Sequence, residues 1–238
     1  MMRTLILLIS CFSFPANAQD AAVDELVKAN SFQIVMQADG KLSGNGIVKL
    51  LDEAAKAQFV LLGENHNTKE IPQFTSSLFA LLNKSYGFSH LALEQDPPMM
   101  RMVSALKSEP QKVFPLGRQY PYGFTFVSDQ ELQMISEVIA FPVKGNAVWG
   151  CDQSFGASHV LDEIKPSNAE DSQFVNNLKL KVSEKERRRD LAKQHFMSDL
   201  SNQSNLQKLK SIADEQKSKS VNFGVNSLLV SDTIYSTI

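Results

Sequence analysis

The chain has 238 residues, 43% of them hydrophobic and 21% charged, with 11 Gly and 9 Pro. It is too apolar for a disordered chain, too poor in Gly and Pro for a fibrous or linker-like one, and long enough for one large domain or two small ones. With 24 Lys+Arg against 26 Asp+Glu the formal net charge is -2, so no basic excess points to nucleic acid as a partner.

Residues 1–18 read as a secretory signal peptide. Arg3 is the lone charge, residues 5–14 are apolar, and Pro15 precedes Ala16-Asn17-Ala18, a small-x-small cleavage site. The apolar stretch is about half of the roughly 20 residues a helix needs to cross a bilayer, and no later segment is apolar enough to span one. The expectation is therefore a periplasmic or secreted protein without an integral membrane segment. Leu8-Ile9-Ser10-Cys11 also fits a loose lipobox. It would leave a very short apolar core, so simple export ranks above a lipoprotein anchored at Cys11. Signal removal leaves Cys151 as the one cysteine, so no internal disulfide is expected. Following Ala147-Val148-Trp149, Cys151 reads as a buried small hydrophobe rather than a nucleophile.

Residues 19–238 are expected to form a single α/β domain. Residues 20–30 suit a short helix, residues 31–36 are β-prone, and Asp39-Gly40 supplies a turn. Ser43 is placed to cap a helix through Ala57, with Ile47, Leu50, Leu51 and Ala54 on one face. Residues 59–62, Phe-Val-Leu-Leu, are apolar at successive positions, as in a strand covered on both faces. Asn67 or Thr68 can cap the next helix, Pro72 falls in its first turn, and Gly87 ends it. Leu91-Ala92-Leu93 is a second short strand. Strand, helix and strand in this space make a βαβ unit with parallel strands. Asp129 can cap a helix carrying Leu132, Ile135, Val138 and Ile139, and Ala147-Val148-Trp149 makes a third strand. Residues 166–219 are polar, charged and spaced for an amphipathic helix pair. The fold class is α/β: a parallel β-sheet core, flanking helices and a helical C-terminal portion from about residue 166 to 238.

Each expected strand ends in ionisable residues: Glu64-Asn65-His66 after the first, Glu94-Gln95-Asp96 after the second, Asp152 after the third. Parallel strands place all three groups on one carboxyl edge, where open α/β sheets bind ligands. Neighbouring strands lie about 4.8 Å apart, so side chains from adjacent strand ends can share a site. Glu64, His66, Glu94 and Asp152 are the candidate catalytic set, three acids and an imidazole suited to general acid/base work. The same residues, Glu64, His66 and Glu94 above all, equally suit a divalent metal.

Plainer roles compete. Glu64 and Asp152 can each cap a helix, and His66 can be a solvated loop residue. Glu94, directly after an apolar strand, is expected to be partly buried. His90 lies at the opposite edge, His159 and His195 fall on helices, and residues 185–189 read as a solvated helix face. Tyr120, Tyr122, Phe124 and Phe126 suit loop packing or a pocket mouth, loop packing being the simpler role. There is no G-x-S-x-G elbow, H-E-x-x-H, C-x-x-C or P-loop, so any hydrolysis would use activated water.

Residues 59–96, FVLLGENHNTKEIPQFTSSLFALLNKSYGFSHLALEQD, resemble the superfamily of erythromycin esterases, ChaN-type haem-binding proteins and Tiki/TraB proteins. Its members share a strand ending in G-E-x-H, a helix beginning near a glutamate, here Glu70, and a strand ending in an acid. Residues 147–161, AVWGCDQSFGASHVL, look like a later family strand ending in Asp. Glu64, His66, Glu94 and Asp152 are the positions that carry over. The esterase branch implies water activated by acid and histidine against a lactone; the ChaN branch implies haem, and the Tiki branch metal-dependent proteolysis. A single residue, Asn65, separates Glu64 from His66 where the esterases usually have two, and no basic residue lies between 71 and 83. The resemblance thus implies an exported hydrolase acting on a small-molecule ester or amide, with a haem- or metal-binding module without catalysis as the alternative. No cofactor is favoured. Family members run longer, so the resemblance also implies a shortened C-terminal portion.

Overall fold

A computed structural model of the chain describes residues 16–188, apart from 64, 67, 126 and 127, and residues 203–236. The cleavage motif's Ala16 opens the first helix, α1 (Ala16–Ala29); residues 1–15, with Cys11, lie outside the described residues. The chain divides into two compact units, Met1–Ala57 and Gln58–Ile238.

In the first unit, β1 (Val35–Met36) and β2 (Leu42–Ser43) pair antiparallel, Val35 opposite Ser43. Gly40 donates its N–H to Gln37 O at 2.9 Å within the turn joining them, as Asp39-Gly40 leads one to expect. Helix α2 spans Asn45–Ala54 with Gly44 at its N-cap. Ser43 therefore does not cap it, because its backbone is committed to the strand register. Asn45 instead uses Oδ1 to accept from Gln33 N at 2.9 Å.

The second unit holds α3 (Glu70–Tyr86), β3 (Leu91–Leu93), α4 (Pro97–Ser104), a single 3₁₀ turn (Pro110–Lys112), α5 (Val113–Gln119), α6 (Asp129–Ile139), β4 (Val148–Gly150), α7 (Ser158–Glu163), α8 (Ala169–Arg188), α9 (Gln203–Gln216) and α10 (Lys219–Ser236). Helix α3 ends as expected at Gly87, which turns the chain at φ 74°. Ser128, one residue before the expected cap, accepts from Glu131 N at 3.0 Å and starts α6. Ser128 and Glu131 stand in capping-box spacing.

β3 and β4 pair parallel, with Leu91, Ala92 and Leu93 opposite Val148, Trp149 and Gly150. Sheet and helix are thus both present, yet the fold is mostly helical and the parallel sheet is two short strands among the described residues. The expected first strand is not formed: residues 59–63 have no regular structure, and Phe59 and Leu61 are 75% and 95% exposed. Apolar patterning supplies strand propensity, but a strand exists only through pairing, and no described strand pairs with this run. β4 likewise is covered on one face rather than two. Val148 is buried, whereas Trp149 is half exposed beside Ala92.

Two apolar clusters hold the unit together. One gathers Met99, Met100, Val103, Leu132, Ile135, Val138 and Val148 around the sheet's covered face. The other gathers Leu161, Val175, Leu178, Leu206, Leu209, Val225 and Leu228 from α7 to α10. Each fully buried side chain of this size contributes about 1.5–3 kcal/mol, so both clusters are substantial cores. No described helix is long and apolar enough to cross a membrane.

Candidate functional site

Parallel pairing decides what meets at the carboxyl edge. Because Leu93 is opposite Gly150, Glu94 and the Cys151-Asp152 pair leave the sheet side by side. The strands stay joined beyond their ends, as Cys151 N donates to Leu93 O at 3.0 Å and Asp152 N to Gln95 O at 3.2 Å. Gly150 permits this approach, since a methyl group there would lie 2.5 Å from Gln95 O.

Glu94 is exposed rather than partly buried. The chain turns at the strand end and sends Gln95 and Asp96, each 1% exposed, inward in its place. Asp152 is partly buried and does not cap a helix. Its Oδ1 accepts from Gln153 N at 2.8 Å, and Thr125 Oγ1 lies 3.4 Å from its Oδ2. Cys151 is exposed, against the expectation that it fills core space, because β4 ends before it. Its Sγ lies 3.0 Å from Leu93 O. Burial of the sulfur against the sheet end pushes the thiol up from its ordinary value, with the charges of Asp152 and Glu94 adding to the effect. The thiol therefore senses both carboxylates and is poorly suited to be a nucleophile at neutral pH.

His66 lies on an exposed turn before α3. Glu64 and Asn67 lie outside the described residues. Thr68 does not cap α3; its hydroxyl donates back to Asn65 O at 2.8 Å. Among the described residues no three His, Cys, Asp or Glu side chains gather as metal ligands.

The loop before α6 roofs this edge. Thr125 N donates to Gln95 Oε1 at 2.9 Å, and Gly156 lets the backbone at Tyr122 pass directly over it. Tyr120 and Phe124 are buried in the apolar cluster, as loop packing requires. The Tyr120 hydroxyl donates to Asp162 Oδ2 at 2.8 Å; burial first, then that carboxylate, pushes its pKa well above the ordinary range.

Pattern reading passed over two buried ionisable groups. His159, 1% exposed, has Nε2 3.1 Å from Oδ1 of Asp96. Asp96 also caps α4 by accepting from Met99 N at 2.7 Å. Glu186 is buried rather than solvated, and its Oε1 accepts from Ala157 N and Ser158 N at the start of α7. The available signal for the first was the spacing of His159, Asp162 and Glu163, one polar stripe on a short helix. His195 lies outside the described residues. His90 sits at the amino edge, its Nδ1 2.8 Å from Asn146 O. Comparison with family models, with curated proteins and with solved structures gave no match.

Proposed function

We propose that the protein is an exported hydrolase, resembling the erythromycin esterases, in which water cleaves an ester or amide at the carboxyl edge of β3 and β4. The observation that carries this reading is the parallel register by which Glu94 and the Cys151-Asp152 pair leave the sheet side by side. Export rests on the signal-like residues 1–18.

Glu64 and His66, which flank Asn65 before α3, are assigned to this site by the resemblance to the esterases.

His66 then takes a proton from water as the oxygen attacks the carbonyl carbon, and Glu64 orients the imidazole. The proton returns to the leaving alcohol or amine, so that water is added across the broken bond. Glu94 and Asp152 complement the charge that develops on the imidazole. The test is turnover of a panel of esters and amides by the wild type and by His66→Ala. Hydrolysis by the wild type, lost in His66→Ala with an unchanged melting curve, supports the reading. Absence of any turnover, or turnover equal in the two proteins, refutes it.

A further inference from the structure

We infer that His159 is a positioning residue: held by the C-terminal helices, its imidazole fixes the Gln95-Asp96 segment and, through that segment, the Asp152 carboxylate. The two faces of α7 do different work. Val160 and Leu161 are buried among α8–α10, and Glu186 of α8 secures the N-terminus. The polar face reaches the other way, across to the cluster around the sheet. His159 meets Asp96, Asp162 accepts from Tyr120, and Glu163 Oε2 accepts from Arg101 Nη2 at 2.6 Å. Glu163 is also tied to α10 by the Ser220 hydroxyl at 2.8 Å. α7 is therefore fixed on the C-terminal side and grips the sheet side through three polar contacts.

From the imidazole the contacts run on to the edge. Next to Asp96 in the chain, Gln95 accepts from Asp152 N through its backbone oxygen and from Thr125 N through its side chain. Thr125 in turn approaches Asp152 Oδ2. A second route leaves from the other ring nitrogen: a methyl group on Gly123 would lie 3.3 Å from His159 Nδ1, so the roofing loop rests on the imidazole. Asp96 Oδ2 and His159 Nδ1 have no hydrogen-bond partner among the described residues. Each partner thus keeps one buried polar atom unsatisfied, which is costly inside a protein. Glu94 and Cys151, by contrast, are exposed and have little packing to place them. Cys151 is tied to Leu93 and flanked in the chain by Asp152, whose N–H binds Gln95 O, so its surroundings report on that segment.

Cys151 supplies a readout that does not depend on hydrolysis, so failure here is distinct from failure of the hydrolase reading. In a Cys11→Ser background, the rate of Cys151 alkylation by iodoacetamide is followed against pH for the wild type, His159→Phe and His159→Gln. We expect His159→Phe to change the rate at fixed pH by at least about threefold, since thiolate fraction governs reactivity. His159→Gln, which keeps a donor for Asp96, restores the wild-type profile. A His159→Phe protein that melts earlier but keeps the wild-type profile overturns the inference. If His159→Phe does not melt cooperatively, Gln95→Leu is read in the same way, and an unchanged profile there overturns it.

Discussion

Asp96 and His159 are 63 positions apart in the chain and 3.1 Å apart in the fold, each 1% exposed. The Asp96 carboxylate serves two partners at once through Oδ1, the imidazole and the Met99 N–H that opens α4. Removing it strands a buried imidazole and uncaps a helix. Asp96→Ala should therefore cost about 1–3 kcal/mol, the range for leaving a buried polar group without its partner. Asp96→Asn keeps an oxygen acceptor in place and should cost less. Urea denaturation of both variants checks the order, and equal losses would show that the acceptor oxygen is not what matters.

Tyr120 gives a pH dependence with a definite sign. Burial and the Asp162 carboxylate hold the proton on the folded phenol, whereas the unfolded chain releases it near the ordinary value of about 10. The folded state thus binds the proton more tightly. The stability due to this group is complete below that value and falls as pH rises through it. Tyr120→Phe should flatten the alkaline limb of the stability profile. At neutral pH it should cost about 0.5–1.5 kcal/mol for the lost hydrogen bond, and Asp162 keeps Lys179 as a partner at 3.3 Å. An alkaline limb identical to the wild type's would contradict this.

The roof over the carboxyl edge depends on backbone contact at Gly156. A methyl group there would overlap Tyr122 O and lie 2.9 Å from Gly123 N. Both are backbone atoms that cannot swing aside. Gly156→Ala should destabilise by about 1–3 kcal/mol, the usual cost of overpacking. Gly63→Ala is the control, since nothing lies within 4 Å of the added carbon. Thermal melts of the two variants give the comparison, and equal melting temperatures would remove the roof from the account.

The longer helices were legible because their apolar period is local, whereas the caps expected at Ser43, Thr68 and Asp129 and the short helices α4 and α5 were not. Leu132, Ile135, Val138 and Ile139 show the stripe that α6 buries, and Gly87 ends α3 by chain geometry alone. The parallel pairing of residues 91–93 with β4 was legible from two short apolar runs and the space between them. Residues 59–62 carry the same apolar signal without forming a strand, because pairing depends on a partner distant in the chain. Trp149 is half exposed for a related reason: what covers a sheet face is not encoded in the strand itself. Of the candidate site, Glu94 and Asp152 were legible as strand ends. Asp96 and His159 were not, because the polar stripe of His159, Asp162 and Glu163 marks a face of α7 without naming its partner 63 positions away.

The proposed hydrolysis at the carboxyl edge makes Asp152 part of its machinery. The direct measurement is kcat/KM on the responding substrate for the wild type and Asp152→Asn, with melting curves recorded for both. The expected result is a loss of about 10²–10⁴-fold, as for removal of a group that assists proton transfer, with little change in stability. An Asp152→Asn protein as active as the wild type would contradict it.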